Sequence, residues 1–374
     1  MSGIYIHIPF CAKRCTYCDF HFSTTFSGYR ERMILSLKDE IVLRKNEIKA
    51  PIQSIYFGGG TPSLLHEKEL ASLIETVHNN YSVEPSAEVT LEANPENISL
   101  ETALSWKNLG VNRLSIGLQS FKDSDLKWMN RGHNNNQNSA CVKTVYDAGF
   151  NNVSIDLIYG LPGLKNSEWE DFLKKVVSLG VEHISAYCLT IEDKTKLKYD
   201  VENETIKPLS EKKQIEQFEF LCAFLKQSGY EHYEVSNFAL NKNYSKHNRS
   251  YWDRKEYIGI GPSAHSYNGK GRRWNVSNNN AYMARGTKAK HWYSQEDLSI
   301  DSVWNELFLT GFRTKWGVLK KDIEKLGGLT RKEQKEIKQM IDKGDLIDST
   351  NAYVLSENGL LFADAISEHF FRIS

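Results

Sequence analysis

Six short apolar runs, each followed by a helix-like segment, occupy the first part of the chain, to about residue 230. The runs are IYIHIPF (4–10), SIYFGGG (54–60), EVTLEAN (88–94), RLSIGLQ (113–119), VSIDLIYG (153–160) and HISAYCLT (183–190). Strands that alternate with helices in this way pair in parallel through right-handed crossovers. Because the runs are almost continuously apolar, we expect both faces of the sheet to be buried.

The residues at the ends of these runs favour a barrel over an open, doubly wound sheet. Cysteines, glycines and polar side chains collect at the carboxyl end of each run, which is the edge where barrel-type α/β proteins build their sites. Six units are two fewer than a closed eight-stranded barrel needs. The pattern therefore predicts an α/β fold in which residues 1–230 form an open partial (β/α)6 barrel.

The regular pattern stops after the sixth unit. Residues 231–295 are rich in Asn, Gly, Tyr and Trp and show little periodicity, so we expect an extended, ordered loop region packed on the barrel. Residues 296–374 contain helix-like stretches around one short hairpin. This arrangement indicates a smaller α+β C-terminal domain of winged-helix character.

Composition excludes several classes of protein. The 47 basic and 47 acidic residues balance, so no overall field draws the chain to nucleic acid, and we expect no nucleic-acid partner. No apolar run approaches the roughly 20 residues that span a bilayer, and the start, MSGIYIHIPF, lacks the features of a signal peptide. Six cysteines, three of them clustered, fit a reducing compartment. We therefore expect a cytoplasmic protein.

The clustered cysteines indicate a metal site with one ligand missing. Cys11, Cys15 and Cys18 follow the first strand with the spacing Cys-x-x-x-Cys-x-x-Cys, and Phe20 stands where a fourth cysteine could follow. A structural zinc site needs four ligands, whereas the remaining cysteines lie in apolar patterns typical of buried positions. Three thiolates can hold three irons of a [4Fe–4S] cluster and leave the fourth iron open to a small molecule.

This cysteine pattern resembles that of the radical S-adenosylmethionine (SAM) superfamily, in which SAM chelates the open iron. GGGTP (58–62) matches the glycine-rich motif of that superfamily, and YIHIPFC, GGGTPS, LEANP, GLQSF, NRGH and DLIYGLPG follow in the order of its coproporphyrinogen-III-oxidase-like branch. The resemblance covers about residues 1–270 and implies a partial barrel of radical SAM type. It also implies that Cys11, Cys15 and Cys18 bind the cluster. The residues it implies at the SAM site are Tyr5, Tyr17, Gly59, Gly60, Thr61, Glu92, Gln119, Arg131 and Asp156.

The side-chain chemistry of these residues suits SAM. The guanidinium of Arg131 can pair with a carboxylate, Asp156 and Gln119 can bond ribose hydroxyls, and Glu92 can receive an ammonium group. Glycines allow positive φ angles and a close approach of the backbone to a ligand. On position alone, any one of these side chains could equally be a satisfied polar residue at the end of a strand.

Two departures from the branch pattern point to a sister group. The anaerobic oxidases carry a further cysteine where this chain has Phe20, and they carry an extension before the first strand. In both respects this chain resembles the HemW-type heme chaperones, and HNRSYW (247–252) matches the His-Asn-x-x-Tyr-Trp motif of that group. The resemblance implies that His247 holds heme, since neutral imidazole is a standard axial ligand. Arg272 and Arg273 could meet heme carboxylates, although a solvated turn explains them as well.

The resemblance thus implies a heme chaperone that binds SAM, a [4Fe–4S] cluster and heme, and that passes heme to client hemoproteins such as membrane-bound respiratory cytochromes. The cluster could also act as a switch that controls self-association into a homodimer. One alternative is a radical SAM oxidoreductase acting on coproporphyrinogen III or a related substrate. A second is an iron–sulfur sensor that regulates through DNA, against which the balanced charge speaks. Enzymatic turnover stays open, but we do not expect an active coproporphyrinogen III oxidase.

Overall fold

The computed structural model of the protein describes residues 2–284 and 292–372. Its strands are β1 (Ser2–Ile8), β2 (Ile52–Gly59), β3 (Val83–Ala93), β4 (Arg113–Gln119), β5 (Val153–Tyr159), β6 (His183–Cys188), β7 (Glu231–Glu234), β8 (Asn237–Ala239), β9 (Glu256–Ile260), β10 (His265–Tyr267), β11 (Gly271–Asn275), β12 (Tyr293–Asp297), β13 (Val318–Leu319), β14 (Leu346–Asp348) and β15 (Ala352–Leu355).

The helices alternate with the first six strands and then follow them. They are α1 (Arg30–Leu43), α2 (Glu67–Asn80), α3 (Leu100–Asn108), α4 (Asp123–Trp128), α5 (Asn135–Asp147), α6 (Asn166–Ser178), α7 (Lys196–Glu202), α8 (Glu211–Gln227), α9 (Lys246–Trp252), α10 (Asn279–Met283), α11 (Ile300–Gly311), α12 (Lys320–Lys325), α13 (Arg331–Lys343), α14 (Glu357–Leu360) and α15 (Ala363–Glu368). Among them, no helix of the described residues combines the length and apolarity that a membrane crossing requires.

One large sheet organises the first three quarters of the chain. Its strand order is β12-β11-β10-β9-β1-β2-β3-β4-β5-β6-β8-β7, and β1 to β6 pair in parallel in chain order. The outer neighbour of β1 is β9 and that of β6 is β8, so within the described residues these two strands do not pair with each other. The predicted α/β fold with six parallel strand–helix units is confirmed.

The two faces of the parallel strands differ in polarity. On β1, Ile4, Ile6 and Ile8 are fully buried against the helices, while Tyr5 and His7 point to the opposite face, which we call the inner face. Side chains alternate along a strand, and this alternation recurs in β3, β4 and β5. The expectation that both faces are buried is confirmed for β1, β4 and β5, whose residues are nearly all buried. The inner face is nevertheless polar, because serines, glycines and charged residues alternate with the apolar residues along these strands.

The described residues of the segment 231–295, namely 231–284 and 292–295, are more regular than an extended loop region. They form β7 and β8 at one edge of the large sheet and β9 to β12 at the other, together with α9 and α10. Strands of three to five residues carry too few positions to show a period of two, so the sequence pattern did not reveal them.

Helix α9 lies across the inner face at the amino ends of the parallel strands. Both carboxylate oxygens of Glu88 on β3 accept backbone N–H groups at the start of α9, from Lys246 and His247, each at 3.1 Å. On the opposite side, Tyr233 Oη lies 2.7 Å from Nε2 of His183 on β6 and accepts a bond from the Ser245 backbone N–H. Since α9 reaches strands from both halves of the sheet, the polar inner face is covered at this end.

The last 80 or so residues pack around a hydrophobic core of their own. This core contains Trp304, Phe308, Phe312 and Phe370, and three antiparallel strands in the order β13-β15-β14 cover one side of it. The elements of this part of the chain follow in the order helix, strand, two helices and hairpin, and the winged-helix character of this smaller α+β unit stays a prediction.

Candidate cofactor site

The three clustered cysteines lie on the connection between β1 and α1. Cys11 is buried and Cys15 and Cys18 are partly buried. Thr16 anchors the connection, since its backbone N–H donates to the Met129 carbonyl at 3.2 Å and its carbonyl accepts from Leu197 N–H at 2.8 Å. The cysteine loop is therefore held by the end of α4 and by the first turn of α7, and not by β1 alone.

Two cysteine sulfurs already accept hydrogen bonds from predicted site residues. Thr61 Oγ1–H donates to Cys11 Sγ at 3.4 Å, and Arg131 Nη1–H donates to Cys15 Sγ at 3.6 Å. Burial raises the pKa of the Cys11 thiol to about 11 and that of Cys18 to about 12. These two side chains are thus protonated at neutral pH until a metal takes the place of the proton.

The glycine motif is required by the chain itself. Gly59 has a φ angle of +109°, and a Cβ there would lie 2.5 Å from the ring of His7. At Gly60 a Cβ would lie 2.6 Å from the Phe10 carbonyl oxygen, just ahead of Cys11. The two glycines are therefore needed even without a ligand, because β1 and the start of the cysteine loop already fill the space that a side chain would occupy.

Arg131 joins the cysteine loop to two neighbouring strands. Its Nη2 donates to Asn94 Oδ1 at 2.7 Å and to the Gly117 carbonyl at 2.8 Å. Its Nε is buried without a hydrogen-bond partner among the described residues, and Tyr17 interacts electrostatically with its guanidinium. A donor of this kind beside the cluster loop remains available to an acceptor such as a ligand carboxylate.

Two carboxyl groups, those of Glu92 and Asp156, lie on the inner face. Glu92 accepts from Tyr56 Oη–H at 2.9 Å and from the Gly59 N–H at 3.2 Å. Asp156 accepts from Ser115 Oγ–H at 3.2 Å. Burial raises the pKa of Glu92 to about 7 and that of Asp156 to about 6, and the negative charge of Asp156 adds to the shift of Glu92.

The remaining predicted residues lie near the same end of the strands. Gln119 ends β4 with a φ angle of +66°, and its amide nitrogen comes close to Gly117. Tyr5 Oη–H donates to His7 Nδ1 at 3.1 Å, and His7 Nε2–H donates to the His21 carbonyl at 2.7 Å. His7 therefore links the inner face to the cysteine loop. His7 was not among the predicted site residues, and its place two residues after Tyr5 on the same strand was the available signal.

Sequence reasoning also missed Arg113, the first residue of β4. It is 1% exposed on the inner face, and its Nε and Nη1 have no hydrogen-bond partner among the described residues. Its charge interacts with Glu92, Asp156 and His247. A charged residue at the start of the alternating run RLSIGLQ was the signal that pointed to the inner face.

His247 lies at the other end of the inner face from the cysteines. It is 1% exposed; Ser54 Oγ lies 2.8 Å from Nδ1 and Tyr251 Oη lies 2.8 Å from Nε2. Burial lowers the pKa of the imidazole to about 3, with a further contribution from the charge of Arg113. The ring is thus neutral at physiological pH, and in this conformation both of its nitrogens are engaged.

The predicted residues consequently form two groups. His247 contacts Gly3 at the amino end of β1, whereas the cysteine loop begins after Ile8. Five residues of strand separate these points by about 17 Å. Tyr5 lies between them, with its ring centroid 6.3 Å from that of His247 and 6.0 Å from that of His7.

Comparison with known proteins places this arrangement in a family. The radical SAM superfamily profile matches residues 5–176. The heme chaperone HemW of Mycobacterium tuberculosis is 33% identical over 371 residues, 97% of this chain and 93% of that protein. The heme chaperone HemW of Bacillus subtilis is 32% identical over 374 residues, 98% of each. The chain belongs to the HemW family of the radical SAM superfamily.

A solved structure supports the fold of this radical SAM protein. The coproporphyrinogen III oxidase HemN from Escherichia coli, described as a radical SAM enzyme, superposes with a TM-score of 0.84 over 99% of this chain and 89% of that one. At 22% sequence identity this likeness concerns the fold alone. The prediction of a radical SAM fold related to HemW proteins is confirmed.

Membership in the radical SAM superfamily implies a [4Fe–4S] cluster and SAM, and the residues present fit both. Among the described residues no three or more His, Cys, Asp or Glu side chains converge on a single ion, but a cubane does not need this because each cysteine binds a different iron. The cysteines would hold the cluster, and Arg131, Glu92 and Asp156 offer polar groups to SAM. When bound, a reduced cluster would supply an electron for reductive cleavage of the SAM sulfonium.

Proposed function

We propose that the protein is a heme chaperone that binds heme and transfers it to client hemoproteins. The observation that carries the proposal is the end-to-end similarity to proteins named heme chaperone HemW, at 33% identity over 97% of the chain. SAM and the cluster would be bound at the cysteine end of the inner face, and heme iron by His247 at the other.

The surroundings of His247 support a role as an iron ligand. A metal-bound imidazole must be neutral, and its second nitrogen usually makes a hydrogen bond that fixes the ring. Ser54 Oγ can accept Nδ1–H at 2.8 Å, which leaves the lone pair on Nε2. That lone pair currently accepts the hydroxyl proton of Tyr251, so iron would have to replace this one contact.

The position of Phe20 argues against the main alternative, oxidation of coproporphyrinogen III. By the resemblance, Phe20 occupies the position at which the oxidases of this branch carry a further cysteine. Its side chain is 68% exposed to solvent. A phenyl ring cannot ligate a metal or exchange a proton. The similarity to HemN does not overcome this argument, because it concerns the fold.

The decisive experiment compares heme binding with oxidase activity in one anaerobic preparation. After cluster reconstitution, hemin is added to the wild type, to His247→Ala and to His265→Ala, an exposed histidine stacked on Trp274. We expect a Soret band that survives gel filtration in the wild type and in the His265 control but fades in His247→Ala. Coproporphyrinogen III with SAM and a reductant should remain unconsumed. Decarboxylated product with matching 5′-deoxyadenosine would instead establish the oxidoreductase.

Separate sites make a second prediction about the cysteines. Cys15→Ser should remove the absorption of the cluster and leave heme uptake in place, whereas Cys141→Ser, at a buried position of α5, should leave both unchanged. If Cys15→Ser abolished heme uptake as well, the two sites would be coupled and not separate.

Transfer to clients needs its own measurement. Heme-loaded protein is mixed with an apo-cytochrome b, and the Soret band is followed as heme changes partner. We expect the transfer rate to rise with the concentration of the apo-cytochrome, as direct transfer between the two proteins requires, whereas transfer from heme-loaded serum albumin serves as the control for passive release. A rate that does not depend on the concentration of the apo-cytochrome would mean that heme simply dissociates, and the proposal of a chaperone would fail.

A further inference from the structure

A cleft of about 630 Å³ lies between the large sheet and the C-terminal domain. One wall comes from the end of α9 and from β9 to β11, and the other comes from α11, α15 and the residues after it. Its volume falls within the roughly 300–1,000 Å³ that is usual for small-molecule sites. The cleft includes none of the residues of the cysteine end of the inner face.

Aromatic rings line much of this cleft. They belong to Tyr251, Trp252, Tyr257, Tyr267 and Phe371. The rings of Tyr251 and Tyr257 meet edge to face, with centroids 4.5 Å apart. Flat apolar walls of this kind favour a ligand that is itself flat and aromatic.

One of the arginines that line the cleft has no salt-bridge partner among the described residues. Three arginines line it against two acidic residues. Arg272 is paired with Glu306 at 2.7 Å, and Arg313 is paired with Asp364. Arg254 makes no salt bridge with any residue that the structure describes. Its guanidinium is therefore available to a ligand carboxylate, the partner whose geometry suits it best.

Tyr251 separates this cleft from His247. Its ring lines the cleft, and its hydroxyl donates to His247 Nε2 at 2.8 Å. His247 itself is 1% exposed, so a ligand in the cleft cannot reach the imidazole while Tyr251 stays in place. If the Tyr251 side chain turns away, the lone pair of Nε2 faces the cleft.

We propose that the cleft between the barrel and the C-terminal domain is where heme docks, and that Tyr251 is the gate to its axial ligand. The macrocycle lies against the aromatic wall, Arg254 receives a heme carboxylate, and the hydroxyl of Tyr251 gives up its bond to His247 Nε2 when iron takes that position. This inference rests on the proposed heme-binding function and names the surface that serves it.

The charge part of the proposal is tested by comparing hemin with hemin dimethyl ester, which lacks free carboxylates. Both are titrated into the wild type, Arg254→Gln and the control Lys255→Gln, the exposed neighbour that does not line the cleft. We expect Arg254→Gln to bind hemin about tenfold more weakly and the ester as well as the wild type does. Lys255→Gln should match the wild type with both ligands.

The gate and the volume are tested by two further variants. Tyr251→Phe keeps the ring and removes the competing hydroxyl, so hemin should bind about fivefold more tightly. Leu309→Trp narrows the cleft and should weaken binding by about tenfold, whereas Leu104→Trp on α3, a similarly exposed leucine, should not. Thermal unfolding of each variant shows that it is folded; if Leu309→Trp does not fold, the Arg254 and Tyr251 variants decide.

The outcomes separate this inference from the proposed function. A wild type that binds no hemin overturns both. Hemin binding that depends on His247 but is unchanged in Arg254→Gln and Leu309→Trp overturns the cleft and leaves the chaperone function in place. A tighter Tyr251→Phe variant supports the gate, and a Tyr251→Phe variant that loses the iron spectrum of the wild type would overturn it by making the tyrosine the ligand.

Discussion

Replacing Glu92 by glutamine should change how the stability of the protein depends on pH. Burial raises the pKa of this carboxyl from 4.5 to about 7, so the folded protein holds the proton more tightly than the unfolded chain does. Between these two pH values the folded state binds more protons, and its stability must fall as pH rises.

The size of the effect follows from the shift. At 1.36 kcal/mol per pKa unit, a rise of about 2.5 units corresponds to about 3 kcal/mol in total, of which about 2 kcal/mol is lost between about pH 5.5 and pH 8. Glutamine at position 92 has no proton to lose. The stability of Glu92→Gln relative to the wild type should therefore rise by about 2 kcal/mol over that range.

Urea unfolding of the cluster-free protein, kept anaerobic and followed by circular dichroism at several pH values, measures this difference. Glu96→Gln is the control of opposite sign. Burial is the largest single influence and raises the pKa of Glu96, but the hydrogen bond with His133, a backbone hydrogen bond and the charges of Arg131 and His133 together outweigh it, and the net pKa is lowered. Its charged form stabilises the fold at neutral pH, and that contribution is lost on acidification. Parallel stability profiles for Glu92→Gln and wild type would refute the argument.

Three further substitutions test other parts of the structure. Gly60→Ala places a Cβ 2.6 Å from the Phe10 carbonyl oxygen, so it should cost about 1–3 kcal/mol and lower the iron content after reconstitution; full iron content would show that the loop adapts. Arg44→Met leaves the fully buried Glu40 without its ion pair and should cost about 3–5 kcal/mol in urea unfolding, a loss that a second change to Glu40→Gln should largely reverse. Trp304→Ala should cost about 3–5 kcal/mol yet leave the iron content unchanged, because its core is separate.

Local patterns in the sequence were enough to predict the parallel half of the fold. Each strand–helix unit is a contiguous segment whose periodicity reports its own burial. Gly149 and Gly180 follow two of the helices with positive φ angles, which is the usual place of glycine at a helix C-terminus. The cysteine loop could also be recognised from the sequence, since its three cysteines lie within eight residues. The polar inner face could have been predicted as well, had the serines and glycines within the strands been given weight.

The tertiary structure alone decided how the second half of the chain meets the first. The strands of residues 231–295 are short, and their order depends on pairing with β1 and β6. No local periodicity in the sequence predicts that pairing. His247 is 193 residues from Ser54, its hydrogen-bond partner, and the cleft beside Tyr251 draws its walls from α9, the added strands and the C-terminal domain. The sequence by itself determined which chemical groups the protein carries. The tertiary structure determined that His247 is buried, that Tyr251 covers it and which arginines line the cleft. Contacts between residues that are distant in the sequence depend on packing and not on local spacing.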